Sequence, residues 1–469
     1  MSELTRTCVY VVIGVAALGV GWMSRPAAIQ YEKLDDSGER FFAQFDPLEA
    51  KSLEIVSVNP ENLSLRAFKV AQQYGRWVIP SKAGYPADAQ DHLARAATSV
   101  MDVEKGTVVS DNAADHELYG VGDPTAASAP SAGAGMRVTL QDGAGKALVD
   151  LIFGKPVKDS QNLRFARVPG RDRVYTAAVT TDALTTKFED WIERDLLQLD
   201  AANIKEVILD DYSIDEMNQR IVRGDKLALR HDQATNAWNM EGLREGESLL
   251  TPKLEELRYA LDDLQIVDVH RKPAGLSSQL QTEESMQIDA DAVNSLMSRG
   301  YYIVNGALLS NEGETIVHTR DGMEYTLRFG EIVNFDAGTA GGQEPSAEET
   351  DQRGRFLFVT VHFDPALVEQ PAYDAVPEPA TQPDPPSDPT ATQPTDDPMR
   401  QAIVQANETK RREYEKKLAE GPENAKKLSA RFADWYYVVS DAVYQQIRLK
   451  RSDVVGPADG SASPAAPGQ

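Results

Sequence analysis

The side chains best suited to chemistry in this sequence are six histidines (His92, His116, His231, His270, His318 and His362) and one cysteine, Cys8. A zinc site needs three or four such ligands, and on a helix its histidine pairs recur at i,i+3 or i,i+4. No two of these histidines have that spacing, and a lone cysteine completes no set. His318 and His362 fall in segments of strand character, where a sheet could bring them near one another. Ordinary strand histidines are the simpler reading.

The run Asp142-Gly-Ala-Gly-Lys146 has the outline of a phosphate loop. That loop also needs a glycine five positions before its last glycine and a Ser or Thr after the lysine, whereas this chain has Leu140 and Ala147. A hairpin turn accounts for the glycines better. The acidic pairs Asp35-Asp36, Asp210-Asp211 and Asp262-Asp263 do not make acid/base dyads, because adjacent residues point apart on a helix or strand. No Gly-x-Ser-x-Gly elbow is present. The triplets Asn62-Leu-Ser64 and Asn407-Glu-Thr409 fit the glycosylation pattern but are short enough to arise by chance. Trp77, Trp238 and Trp435 sit in strand-like segments, where core packing is the default. No catalytic, cofactor-binding or metal-binding residues are assigned, and the expectation is a protein without enzymatic activity or cofactor.

The elements around these residues occur twice, at a period of about 155 residues. Asp46-Pro-Leu-Glu-Ala-Lys51-Ser-Leu53-Glu-Ile55 recurs as Asp200-Ala-Ala-Asn-Ile-Lys205-Glu-Val207-Ile-Leu209, in each case a short turn and then a strand. Trp77 and Trp238 end corresponding strands. Proline in the first turn opens a helix in each copy, predicted over Pro86–Ser99 and Pro252–Leu264. In the second helix Leu254, Leu257, Leu261 and Leu264 form one apolar stripe. Val100-Met-Asp102-Val103 then matches Ile266-Val-Asp268-Val269 position by position. Hairpins follow around Asp142-Gly143 and Asp321-Gly322. Copy one adds the strands Leu163–Arg167 and Arg173–Ala177 around Pro169-Gly170. Copy two has Arg355–His362, and its partner strand, Trp435–Val439, comes only after a long interruption.

That interruption begins with Pro371 to Pro398, which holds nine prolines, six acids and no basic residue, the composition of an extended, solvated linker. Met399 to Ala419 reads as a charged helix with Glu408–Arg412 and Glu413–Lys417 at i,i+4, stopped by Gly421-Pro422. From Gly456 onward the Pro/Gly/Ala/Ser composition predicts disorder.

The apolar fraction of 41% and charged fraction of 26% are those of a folded globular protein. A net charge of −25 repels phosphate backbones, so no nucleic-acid partner is expected. Thr7 to Ser24 carries no charge, and as a helix it would span roughly 27 Å, enough for a bilayer core, with Tyr10 and Trp22 near its ends. A cleaved signal fits less well, because the best site, after Ala28, has Pro26 just upstream. Cys8 precedes the apolar run, whereas a lipidated cysteine would follow one. Flanking positive charges differ by one or two residues and point, if anywhere, to a cytoplasmic body.

The fold class expected is α+β: one N-terminal transmembrane helix, then two tandem repeats of antiparallel sheet with a packed helix. The boundaries are an anchor over 1–30, a first repeat over 41–198, and a second over 199–454 with an insertion at about 365–432. A disordered tail covers 455–469. Several of these segments carry a resemblance: the N-terminal anchor, Phe45-Asp46-Pro-Leu, Trp77 with Pro86-Ala-Asp88, Leu118-Tyr-Gly120-Val-Gly-Asp-Pro124, Ile152-Phe-Gly154 and Arg194-Asp-Leu-Leu197. Together they resemble the bacterial family catalogued as domain of unknown function 4340. Copy two keeps only Ala274-Gly275-Leu276 of the tyrosine–glycine–proline element, and its long insertion departs from the pattern.

The resemblance implies a single-pass membrane protein with its large C-terminal region outside the cytoplasm. Members of the family often occur beside ABC-type transport systems related to gliding motility. The expected function is therefore a non-catalytic accessory or scaffold of a membrane complex. Its partners would be the membrane, through the N-terminal helix, and proteins such as transporter subunits. The alternatives are an envelope ligand-binding module with a cleft between the repeats and, last, an envelope hydrolase. N-terminal sequencing of the mature protein checks the anchor: residues 7–24 should be retained, and a chain starting near Ile29 would refute it.

Overall fold

A computed structural model describes residues 36–458, apart from 60–62, 89, 127–131, 161, 216–217, 219, 275, 277–288, 305, 336–352 and 378–397. The expected anchor lies outside the described residues, and no described helix is long and apolar enough to cross a membrane. The fold is mixed α+β, built on two large antiparallel sheets.

The first sheet contains β1 (Ser52–Val58), β2 (Leu65–Gln73), β3 (Arg76–Ile79), β4 (Tyr85–Pro86), β5 (Val108–Ser110), β6 (Met136–Gln141), β7 (Ala147–Pro156), β8 (Leu163–Arg167) and β9 (Val174–Ala178). Its order is β4-β3-β2-β1-β6-β7-β8-β9-β5. The second contains β10 (Ile204–Asp215), β11 (Arg220–Asp232), β12 (Ala237–Met240), β14 (Asp268–Arg271), β17 (Glu314–Thr319), β18 (Met323–Asn334), β19 (Arg353–Phe363) and β20 (Trp435–Ser440). Its order, β12-β11-β10-β17-β18-β19-β20-β14, repeats that of the first with only β4 unmatched. Small ribbons pair β13 (Glu247–Leu249) with β21 (Val455–Pro457), and β15 (Tyr301–Val304) with β16 (Ala307–Ser310).

Local chemistry sets the matched starts. Asp46 and Asp200 each cap a three-residue 3-10 turn, accepting from Leu48 N at 2.9 Å and Ala202 N at 2.8 Å. Each cap satisfies a donor that the turn leaves open and aims the chain into the first strand of its sheet. In the second copy the helix Thr251–Asp262 has Pro252 in its first turn and buries Leu254, Leu257 and Leu261. In the first copy the helix is Gln90–Met101, burying Leu93, Ala96, Ala97 and Val100. Pro86 does not open it, contrary to the sequence expectation, but ends β4, where Val78 pairs with Pro86. An outermost strand tolerates proline because the missing N–H faces away from the ladder.

One apolar core serves both sheets. It runs without a break from Leu53 and Ile55 through Leu93, Trp191 and Leu196 to Leu257, Leu327 and Val439. The connection between the copies is part of that core. Trp191 is fully buried, stacks on Phe68 at 5.2 Å and donates its indole N–H to Thr185 O. Leu196 N donates to Leu264 O, and Ile266 N to Arg194 O, tying the connection to the end of the second copy's helix.

The long interruption differs from its sequence reading in three ways. Pairing of β19 with β20 is antiparallel as expected, but it spans only Gly354↔Ser440 to Leu357↔Tyr437. Farther along, the following helix packs on β19 instead, and Ser429 Oγ donates to Val361 O. The insertion also leaves from inside the sheet rather than from its edge, because β14 lies outside β20. Finally, Gly421-Pro422 does not stop the helix, which runs unbroken over Pro398–Ala433. Tertiary packing outweighs the cost of a helix-interior proline: Gly421, Ala425, Phe432 and Ala433 are all buried. The tail reading is corrected at its start alone, since Val455–Pro457 pairs in register with Glu247–Leu249, and residues 459–469 lie outside the described residues.

Phe363 is held between two glycines: a β-carbon at either Gly421 or Gly322 would run into its ring. Alanine at 421 would gain about 1 kcal/mol of helix propensity. The ring cannot retreat toward Gly322, so Gly421→Ala should nonetheless destabilise the protein, by about 1–3 kcal/mol of overpacking, in urea denaturation.

Candidate functional site

The histidines do not converge. His318 Nδ1 faces Glu206 Oε2 at 2.8 Å and His318 Nε2 faces Glu324 Oε2 at 3.0 Å. His362 lies across from Glu324 on the next strand, so β18 separates the two histidines. Arg230 reaches Glu206 at 2.7 Å from the other side. The row Arg230–Glu206–His318–Glu324–His362 thus alternates basic and acidic side chains across five neighbouring strands, the cross-strand pairing that supports a sheet. Among the described residues no group of three or more His, Cys, Asp or Glu is arranged to hold a metal ion.

The remaining sequence candidates resolve into structure. Asp142 Oδ1 accepts from Ala144 N and Lys146 N, so the glycine run is an aspartate-braced turn between β6 and β7. Asp210 pairs with Lys226, whereas Asp211 pairs with Arg448. Asp262 accepts from Ala201 N, while Asp263 accepts from Gln265. Asp35 lies outside the described residues. Trp238 and Trp435 are buried, and Trp77 is half-buried against the core.

Two places that the sequence did not mark draw functional groups together. The first is the junction of the copies on the side of β4 and β14. Lys82 reaches Asp268 at 2.6 Å, Tyr85 meets Trp435 edge-on at 4.9 Å, and Arg271 donates to Ala83 O at 3.2 Å. The space between the copies is therefore filled at this point. At its rim is an open depression of about 670 Å³, lined by Tyr74, Arg76, Val78, Pro80, Gly84 and Arg271 among others. Its sequence trace is weak: Tyr74-Gly75 lies between two strand-like runs, with tyrosine where asparagine or glycine is usual.

The second is Lys272, which is 3% exposed and follows β14. Its Nζ donates to Phe432 O at 2.9 Å and lies 3.8 Å from the centre of the Phe358 ring. Phe432 O belongs to the last turn of the helix Pro398–Ala433, where the helix dipole favours a cation. Burial nevertheless pushes the amine down to about 7, with Asp434 opposing only in part. Nothing in the sequence marked this lysine as buried.

At the other end of the first copy, Asp36 clasps the entry of the chain. Lys105 reaches it at 2.7 Å and Tyr175 Oη donates to it at 2.9 Å. Burial works against the charge on Asp36, but the hydrogen bonds from Lys105 and Tyr175 outweigh it and hold the carboxyl below its ordinary value. Tyr175 is pushed up to about 12, by burial first and then by Asp36.

Residues 77–297 match the family described as Domain of unknown function (DUF4340). The match is to the family that the motifs resemble, and it runs from Trp77 in β3 to Met297, the end of the helix Ala290–Met297. It therefore crosses the junction of the two copies and includes Lys272. No curated protein and no solved structure matches the chain.

Lys272 gives a signed pH prediction. Its folded value is depressed to about 7 from 10.5. In that window the unfolded chain holds the proton and the folded chain does not, so stability rises with pH. The contribution is complete above about 10.5 and is lost as pH falls toward 7, at up to ~1.4 kcal/mol per unit. Raising the pH from 7 to 10 should therefore stabilise wild type relative to Lys272→Met, as read by denaturant titration of both proteins. Parallel pH profiles for the two would refute a depressed lysine.

Proposed function

We propose that this protein is a non-catalytic, membrane-anchored scaffold of the cell envelope. In this reading the two sheets derive from a duplication, residues 7–24 hold the body at the bilayer, and the body lies outside the cytoplasm. The partners are membrane-complex proteins, with subunits of an ABC-type transport system as the first expectation from the family resemblance. The observation that carries the reading is the helix Pro398–Ala433. Its C-terminal third is built into the core, whereas Pro398 to Glu420 has no buried residue. Met399 is 70% exposed and Val404 37%.

The exposed part is braced rather than loose. Asp374 N donates to Asn407 Oδ1 at 2.9 Å, and Lys410 Nζ reaches Ala372 O and Asp374 Oδ2 at 2.9 Å each. Lys416–Glu420, Arg412–Glu408 and Arg411–Glu415 add i,i+4 pairs along the helix. A long polar helix held out from a packed body stabilises the fold little, and it suits a role as a recognition arm. Asp36 supports the reading from the other end, because its clasp limits the tether between the apolar stretch and the body to about a dozen residues, at most ~40 Å extended.

The test replaces residues 375–417 with a short Gly/Ser linker and keeps Leu418 onward, because the core begins just beyond it. Shortening a loop changes closure entropy by only ~0.6 kcal/mol per twofold change in length, so the body should retain its melting transition. Transporter subunits should co-purify with wild type from solubilised membranes, and the shortened protein should lose them. Equal recovery with both proteins would overturn the arm as the contact. Absence of such subunits from both would overturn the transporter assignment.

A further inference from the structure

We propose that the depression between the Tyr74–Gly75 turn and Arg271 is a binding site for a phosphate group carried on a larger organic body. This inference is independent of the scaffold reading and would stand if the arm had no partner.

Charge is the first argument. The chain has 73 acidic residues against 48 lysines and arginines, so a surface that gathers cations without a carboxylate among them stands against the overall balance. The rim of this depression carries two, Arg76 and Arg271, and no acidic residue lines it. Arg76 is exposed and has no ion pair among the described residues. Among the described residues Arg271 has only the Ala83 carbonyl and the face of Trp435, at 5.8 Å from the ring centre. Asp268, the carboxylate three residues before it, is already paired with Lys82 at 2.6 Å. The two guanidinium groups therefore keep their donors for a ligand, and a planar fork of N–H groups suits a phosphate oxyanion.

The backbone is the second argument. Tyr74 has φ 50° and Ala83 has φ 52°, each followed by a glycine in the same left-handed region. Both turns line the depression, so two strained non-glycine residues meet at one place. A side-chain-bearing residue is strained in the left-handed region, a cost that glycine would avoid. Strain of this kind concentrates at binding sites. At position 74 the cost places a fully exposed aromatic ring (105% of its reference area) beside the two arginines. Tyr74, Val78 and Pro80 give the ligand's organic part an apolar wall, and about 670 Å³ is far more room than a bare phosphate fills.

The phosphate could come from a soluble organic phosphate or from a phospholipid headgroup, and two experimental arms separate these sources. In the first, glycerol 3-phosphate and inorganic phosphate are titrated into the protein by calorimetry. In the second, flotation is measured with phosphatidylcholine vesicles with and without phosphatidylglycerol, using a chain that starts at Asp36. Single-site binding of glycerol 3-phosphate, tighter than that of inorganic phosphate and weakened at least tenfold in R76A/R271A, supports a soluble ligand. Flotation only with phosphatidylglycerol vesicles, lost in the same variant, supports a headgroup. Arg76→Glu guards against misfolding, because Arg76 has no partner to lose and its melting temperature should match wild type. Absence of binding in both arms, or binding unchanged in R76A/R271A and Arg76→Glu, would overturn the proposal.

Discussion

Both sheets turn an apolar face to the same core, and the helix that crosses that face is only twelve residues long in either copy. Such a helix is roughly 18 Å in length and covers a few strands, not eight or nine. The rest of each apolar face has to be covered by something else, and the solution is a single core shared by both copies. Much of the architecture follows from that requirement. The connection between the copies cannot be a solvated linker, so it carries Phe188, Trp191, Leu196 and Leu197 into the interior. Its backbone is satisfied by bonds to Leu264 and Ile266, because buried amides must find partners.

The same requirement explains the long insertion. A strand pairing of four residues between β19 and β20 leaves the rest of β19 uncovered on that side. The last third of the long helix fills the space, with Phe432 fully buried and Gly421 allowing the helix close to the ring of Phe363. Lys272 then fixes the helix end from beneath, its amine on the Phe432 carbonyl and its charge disfavoured by burial. The helix is thereby rooted in the packed body at its C-terminal end.

Polar groups inside the second copy hold its covering segments in place. Arg355 is buried between Asp441 at 3.1 Å, Glu312 at 3.1 Å and Gly330 O at 2.8 Å, with Tyr444 stacked beneath it at 4.1 Å. Tyr444 donates in turn to Glu312, and burial followed by that carboxylate raises its pKa. Each of these groups is bonded to another within the network. The junction rim differs in this respect, with cationic side chains that the fold leaves without carboxylates.

By itself the sequence determined the order of elements, because that order rests on local chemistry written twice. Asp46 and Asp200 cap the same turn, the leucine stripe of the second helix repeats at helical spacing, and aspartate–glycine pairs mark the hairpins. The pairing of Phe356 with Val438 across an interruption of more than seventy residues was legible for the same reason: the first copy shows the uninterrupted form. Tertiary structure alone decided where local preference would be overruled. Pro86 became a strand end and Pro422 a helix interior, because burial elsewhere exceeded the local cost. It alone brought Arg76 and Arg271 to one rim, since residues almost two hundred positions apart meet only when two sheets share a core. It also placed Lys272 in the interior, because burial is a property of what packs around a residue, and the Phe432 carbonyl that receives its amine lies 160 residues away.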